Sequence, residues 1–205
     1  MTISTSSQHL AELQRRFASE LGRVDGRVSL AGDENAAASI VAELVVEKKG
    51  KLVVAWPLQD LPCGNLAERL REIGVIVHET PARDGLDPAR WSQTFAQHRK
   101  ILDRADIGIT GADFAIAETG TIVLVHRGRH DRGPSLLPPV HVAIVNVERL
   151  VARLDDLSPY LSKATAANIT FVTGPSRTAD IEQTLTLGAH GPREVHVILV
   201  GAASD

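Results

Sequence analysis

The 205-residue chain contains one cysteine, Cys63. A single thiol forms no intrachain disulfide. It also excludes an iron–sulfur cluster or a Cys-type zinc site built from this chain alone, because those need several thiolates. Aromatic residues are scarce: two Trp, one Tyr and four Phe. The core must therefore be aliphatic, and the stacking platforms used on single-stranded nucleic acid are in short supply. A formal net charge of −3 and a pI near 6.2 lack the basic excess of a general nucleic-acid binder. No apolar run approaches the ~20 residues of a membrane span, and the polar start Met1–Ser7 leads into no apolar signal segment. The chain reads as cytoplasmic. No internal repeat, low-complexity tract or linker divides it.

What is present is ordinary for a globular domain: 43% hydrophobic and 23% charged residues. Leu10, Leu13, Phe17 and Leu21 recur at helical period and predict a first helix that stops at Gly22. Residues 1–30 read as an N-terminal helical segment, either packed on the domain or serving as a partner-binding arm. Residues 31–205 read as a single α/β domain. Asp33 caps a helix carrying Ile40, Val41, Leu44 and Val45 to Lys48-Lys49-Gly50, with charges that suit the helix dipole. Asp87-Pro88 is a second cap, with proline at the first helical position. Its helix sets Trp91, Phe95 and Leu102 on one side.

Continuous apolar runs at Leu52–Trp56, Val75–Val77, Ile107–Thr110, Thr121–Val125, Val140–Val145, Ile169–Val172 and Val195–Val200 read as strands, the first two buried on both faces. Alternation with helices predicts an α/β fold with a mostly parallel sheet. Between Ile107 and Val145 little helix separates the strands, so part of the sheet is expected to be antiparallel or mixed. Asp113–Ala117 reads as a short Ala-rich turn or helix, and Asp180–Leu187 as a short helix. Ligands of open α/β sheets sit beyond the carboxyl ends of the strands. That points to the loops after Thr110, Val125 and Thr173.

Four segments can carry chemistry. Thr110 to Thr121 sets Asp113 and Glu118 among glycines and small residues. Glu118 suits a general base, a nucleophile or a binding group, or else a solvated turn acid, and Asp113 suits a ligand or a helix cap. His126 to Pro134 crowds three arginines and two histidines, fit for a carboxylate or phosphate, or else a mobile surface loop. His126 and His130 at i, i+4 suit a metal only on a helix, and Gly128 argues against one, so no metal is expected. Thr173 to Glu182 offers Gly174, Ser176, Arg177 and Thr178 at an expected helix start, an anion cradle or simple capping. The lysine core of a P-loop is missing. His190, between small residues, suits a titrating site or a turn. Cys63 is a reactive thiol or an inert buried one.

The runs Ile109–Asp113 through Ala117–Thr121, Leu136–His141, Thr173–Glu182 and Gly188–Arg193 resemble the lactate-utilisation protein C family, or LUD domain. The likeness is close from about Asp106 to Val200 and looser from Asp33 to Arg104. The resemblance implies a fold of the NagB, ribose-phosphate isomerase and CoA-transferase group. It also implies an accessory role in oxidation of L-lactate to pyruvate, with binding of a small anionic carboxylate or of a partner subunit bearing iron–sulfur clusters, and no cofactor in this chain. The family's motif residues fall on Thr110, Gly111, Asp113, Glu118, Thr119, Gly120, Thr173, Gly174, Ser176, Arg177, Asp180, Glu182, His190 and Gly191. The alternative is an enzyme of CoA-transferase or sugar-phosphate type, with Glu118-Thr119-Gly120 as its weak echo of an acyl-accepting glutamate. Arg177 is expected in one pocket with Glu118 or Thr119.

Overall fold

A computed structural model describes residues 7–82, 87–162, 166, 168–179, 185–187 and 191–201. In chain order the elements are α1 (Ser7–Arg23), β1 (Arg27–Ala31), α2 (Glu34–Glu47), β2 (Leu52–Ala55), α3 (Leu66–Glu72), β3 (Ile76–Glu79), α4 (Pro88–Leu102), β4 (Ile107–Gly111), β5 (Phe114–Ile116) and β6 (Thr121–His126). There follow α5 (Gly133–Leu136), β7 (Val140–Asn146), β8 (Leu150–Val151), α6 (Ser158–Leu161), β9 (Asn168–Val172), β10 (Arg177–Ala179), β11 (Leu185–Leu187) and β12 (Glu194–Val200).

Six strands form a wholly parallel sheet in the order β1-β12-β7-β4-β2-β3. The continuous apolar runs fall at its centre, where both faces are covered. On one face, Ala37, Val41 and Val45 of α2 and Leu66 and Leu70 of α3 meet Val53, Ile109, Val142, Ile144 and Ile198. On the other, Leu13, Phe17 and Leu21 of α1 meet Ala143, Val145, Val195, Val197 and Leu199. The helix starts follow their caps. Asp33 accepts from Ala36 N at 2.7 Å, and Asp87 accepts from both Ala89 N and Arg90 N at 2.9 Å.

The chain leaves this sheet between β4 and β7 and again between β7 and β12. Those excursions build a second sheet, β8-β5-β6-β9, antiparallel except for the β5–β8 pair. The mixed character expected between Ile107 and Val145 thus resides in a separate sheet. Among the described residues, no helix is long and apolar enough to cross a membrane.

Three local expectations need correction. The Val75–Val77 run is an edge strand, and Ile76 is 67% exposed. Asp113–Ala117 contains the strand β5, because Phe114 and Ile116 find partners on β6 and β8 that local sequence does not reveal. Leu185–Leu187 is a strand paired antiparallel with β10. Its Leu-Thr-Leu alternation with a β-branched centre suits a pleat better than a helix. Arg177 and Thr178 therefore lie in a strand, and residues 180–184 of the expected helix lie outside the described residues.

Helix α1 docks closely on the turn between β5 and β6. Gly120 has φ +64°, and a Cβ there would lie 2.3 Å from the backbone nitrogen of Leu21. Gly128 has φ +54° with nothing within 4 Å of such a Cβ. Gly128→Ala should cost about 1 kcal/mol, the left-handed penalty alone. Gly120→Ala should cost about 3 kcal/mol, because overpacking against the helix backbone adds to it. Urea unfolding of the two variants checks this, and equal losses would mean that α1 does not press on Gly120.

Candidate functional site

The carboxyl ends of β2 and β4 open into a cavity of about 360 Å³. The turn Gly111-Ala112-Asp113 forms its floor, Trp56, Asp60 and Pro62 one side, and Val125, Arg127 and His130 another. Arg149, Tyr160 and Leu161 close it. Two of the three loops singled out from the strand pattern, those after Thr110 and Val125, converge here.

Asp113 holds this convergence together. Its Oδ2 accepts from Val125 N at 2.8 Å, and its Oδ1 accepts from the Arg127 guanidinium at 2.6 Å. The carboxylate side chain is 15% exposed and the arginine 51%. Arg127 is thus positioned at one nitrogen while the rest of its donor fork stays available. His130 stacks on Trp56, with ring centroids 4.2 Å apart and planes 7° from parallel. Its Nε2 lies 3.1 Å from Asp60 Oδ2. Trp56 Nε1 donates to the Asp131 carbonyl at 2.7 Å.

The arginine- and histidine-rich segment is therefore a built wall. His126 Nδ1 donates to His130 O at 3.0 Å, which leaves Nε2 to accept from the Thr170 hydroxyl at 2.8 Å. Burial pushes the His126 pKa down and keeps the ring neutral, outweighing the His130 carbonyl that pulls the other way. The Thr80 hydroxyl donates to Arg129 O, and Arg129 returns a bond to Thr80 O. Burial alone would raise the Asp131 pKa. His98 and the backbone N–H groups of Gly133 and Arg132 outweigh burial and hold that carboxylate below its ordinary range.

The other candidates gather at the opposite end of β6. Glu118 Oε1 accepts from Leu154 N at 3.1 Å, and its Oε2 lies 3.5 Å from Arg153. The hydroxyls of Thr119, Thr121 and Thr173 form a chain with links of 2.7 and 2.6 Å. Gly120 and Gly174 pass under the end of α1, at Leu21 and Val24. Arg177 pairs with Asp25 in the turn that follows α1. Ser176 N donates to Pro192 O, and Gly191 lies against the Ser176 side chain. Neither Arg177 nor Glu118 lines the cavity, and each is engaged elsewhere. Asp180, Glu182 and His190 lie outside the described residues.

Thr110 is fully buried and shares a 2.8 Å hydrogen bond with His141 Nε2 beneath the site. Burial pushes the His141 pKa down to about 3. Cys63 is buried too. Burial first, and the nearby Glu34 charge second, push its thiol up to about 12, so it is no nucleophile near neutral pH. Among the described residues, no group of His, Cys, Asp and Glu is placed to hold a metal ion. Sequence reasoning missed Trp56, Asp60, Arg149 and Tyr160. Trp56 follows β2 directly, and the strand-end rule reaches it. The other three carry no local signal.

The LUD domain matches residues 14–200. The chain belongs to the LUD domain family. The domain is 34% identical over 166 residues to lactate utilization protein C 1 of Bacillus mycoides, covering 77% of this chain and 70% of that one. It is 34% identical over 140 residues to lactate utilization protein C of Oceanobacillus iheyensis, covering 65% of this chain. That match spans only 60% of the Oceanobacillus protein's length. A DUF162 family protein from Deinococcus radiodurans, solved by crystallography, superposes with a TM-score of 0.62 at 22% identity, covering 93% of this chain and 98% of that one. That likeness shows the fold.

The burial of His141 makes the LUD domain's stability depend on pH. The folded pKa of His141 is about 3, against ~6.5 when unfolded. The unfolded chain therefore binds the extra proton between those values. Stability is fully present above pH ~6.5 and falls as the pH drops towards 3, by at most ~1.4 kcal/mol per pH unit for this group. His126 and His196, also held low by burial, add in the same direction. His141→Gln keeps a neutral partner for Thr110 and should flatten the decline between pH 6.5 and 4.5. Denaturant midpoints across that range give the comparison, and parallel pH slopes would show that His141 is not held neutral.

Proposed function

We propose that this LUD domain serves lactate utilization by binding a small carboxylate, substrate or product of the oxidation of lactate to pyruvate, in the cavity at the ends of β2 and β4. In this reading it works in the cytoplasm as an accessory component, and partner subunits bearing iron–sulfur clusters carry the electrons. The observation that carries the proposal is the Asp113-positioned Arg127 guanidinium facing a cavity that also holds His130, Arg149 and Tyr160. A guanidinium fork matches a carboxylate in shape and charge. Tyr160 and His130 supply groups suited to a 2-hydroxy or 2-oxo oxygen. The volume of about 360 Å³ lies at the small end of ligand pockets. The relatives' names, lactate utilization protein C, support lactate utilization as the process served. Glu118, with both oxygens engaged, takes no covalent step in this reading.

Calorimetric titration with L-lactate and pyruvate, against neutral lactamide as control, tests the site. Losing one forked charge-assisted contact costs ~1.5–3 kcal/mol, so Arg127→Ala should weaken carboxylate binding roughly ten- to a hundred-fold. Arg127→Lys keeps the charge, loses the fork, and should fall between. Equal affinity for lactamide, or for all three proteins, would overturn the site. Deleting the gene should abolish growth on L-lactate and spare growth on glucose.

A further inference from the structure

Strand β3 ends the parallel sheet with one side open. Ile76 N donates to Lys51 O at 3.0 Å and Thr80 N to Ala55 O at 2.8 Å, so these residues, and His78 between them, turn their backbone groups towards β2. Backbone groups alternate sides along a strand, so the N–H and C=O of Val77 and Glu79 point outwards. Among the described residues no further strand meets them. An open edge is a template for another chain, and natural sheets commonly blunt it with lysine or proline. Ile76–Glu79 holds neither, and Ile76 is 67% exposed. Beside this edge, between α3 and β3, runs a groove of about 280 Å³ floored by Leu58, Ala67, Val75 and Val77. Arg71, in the last turn of α3, flanks it near the start of β3, and Glu79 flanks it at the end of the strand. The Arg71 side chain forms no ion pair among the described residues. Glu79 reaches Arg129 with Oε2 at 3.5 Å, and its Oε1 has no partner among them.

We propose that β3 is the interface of a two-fold dimer, in which a second copy of this chain lays its β3 antiparallel to this one with His78 at the axis. That register sets Val77 against the partner's Glu79 and Glu79 against the partner's Val77, so each outward N–H meets a C=O. The rotation keeps like faces together. The two grooves therefore join on the α3 side, and each copy covers the other's apolar floor. Reversing the strand brings the Arg71 end of one groove to the Glu79 end of the other. Two identical ion pairs result, Arg71 with the partner's Glu79 and Glu79 with the partner's Arg71. A surface complementary to itself in backbone, apolar area and charge fits a second copy of the chain. The carboxylate reading is not needed for this inference.

Sedimentation equilibrium of the full chain tests the interface. The wild type should dimerise at submillimolar concentration or below. Arg71→Glu sets acid against acid at both contacts, and Glu79→Arg sets base against base. Each should weaken self-association at least ten-fold, since like charges across an interface repel. An equimolar mixture of the two variants again offers one acid and one base at each contact, and should dimerise as the wild type does. Ile76→Lys puts a charge on the open edge and should also weaken the dimer at least ten-fold. All three positions are exposed, and circular dichroism of the variants checks folding. A wild type that stays monomeric at submillimolar concentration, association unchanged in any of the three variants, or a mixture that associates no better than either charge variant alone would overturn the interface.

Discussion

The ligand-facing end of the sheet leans on the Trp56 indole. A buried indole needs a partner for its N–H, and Trp56 finds it in the carbonyl of Asp131 at 2.7 Å. That bond ties the carboxyl end of β2 to the segment that follows β6. The ring face is taken by His130 and its edge by His126, at a centroid distance of 6.0 Å. Once Asp131 is fixed, its carboxylate meets Gly133 N and turns the chain into α5. His130, held on the indole, becomes a wall of the cavity. Loss of the indole would remove the bond that fixes Asp131 and the stack that holds His130, leaving the segment on its ties to Asp113, Asp60, Thr80 and Thr170.

The scarcity of aromatics acquires a spatial meaning. Both Trp, the single Tyr and two of the four Phe line the cavity at the ends of β2 and β4 or a second one that shares Arg127 and His130 with it. Of the remaining two, Phe17 is in the core and Phe171 is surface-exposed. An aliphatic core of Val, Ile, Leu and Ala closes a parallel sheet well, because β-branched side chains pack tightly on a pleated surface. Large rings are not required there. They stand instead where the sheet ends and packing stops, where a flat surface is useful for holding a ligand.

How much of this was legible follows from what each feature depends on. The strands β2, β4, β7 and β12 and the caps Asp33 and Asp87 are local properties, apolar runs and capping chemistry, and all were readable. Strands β5, β10 and β11 are three residues each, and they exist because distant partners pair with them. No short window of sequence contains that information. At the site, Gly111, Asp113 and the 126–132 segment were legible because they stand at or just beyond the ends of strands. Arg149 and Tyr160 arrive from another part of the chain, and only the tertiary fold places them.

The glycines show a limit of a different kind. Gly120 and Gly174 signal that something approaches the backbone closely, and both do meet such an approach, with positive φ at each. The approaching group is α1 and the turn after it: Leu21 at one glycine, Val24 at the other, with Arg177 securing Asp25 beside them. A close approach by a ligand and one by a helix impose the same demand on the chain, the absence of a Cβ, so residue type alone does not distinguish them. The distinction lies in what is left over. Around Gly120 and Gly174 the polar groups satisfy one another through the threonine chain and the Arg177–Asp25 pair. Around Asp113 an arginine fork and a stacked histidine remain turned towards open volume. Unspent donors facing a cavity, more than glycine-rich sequence, mark the end of the fold where chemistry can be sought.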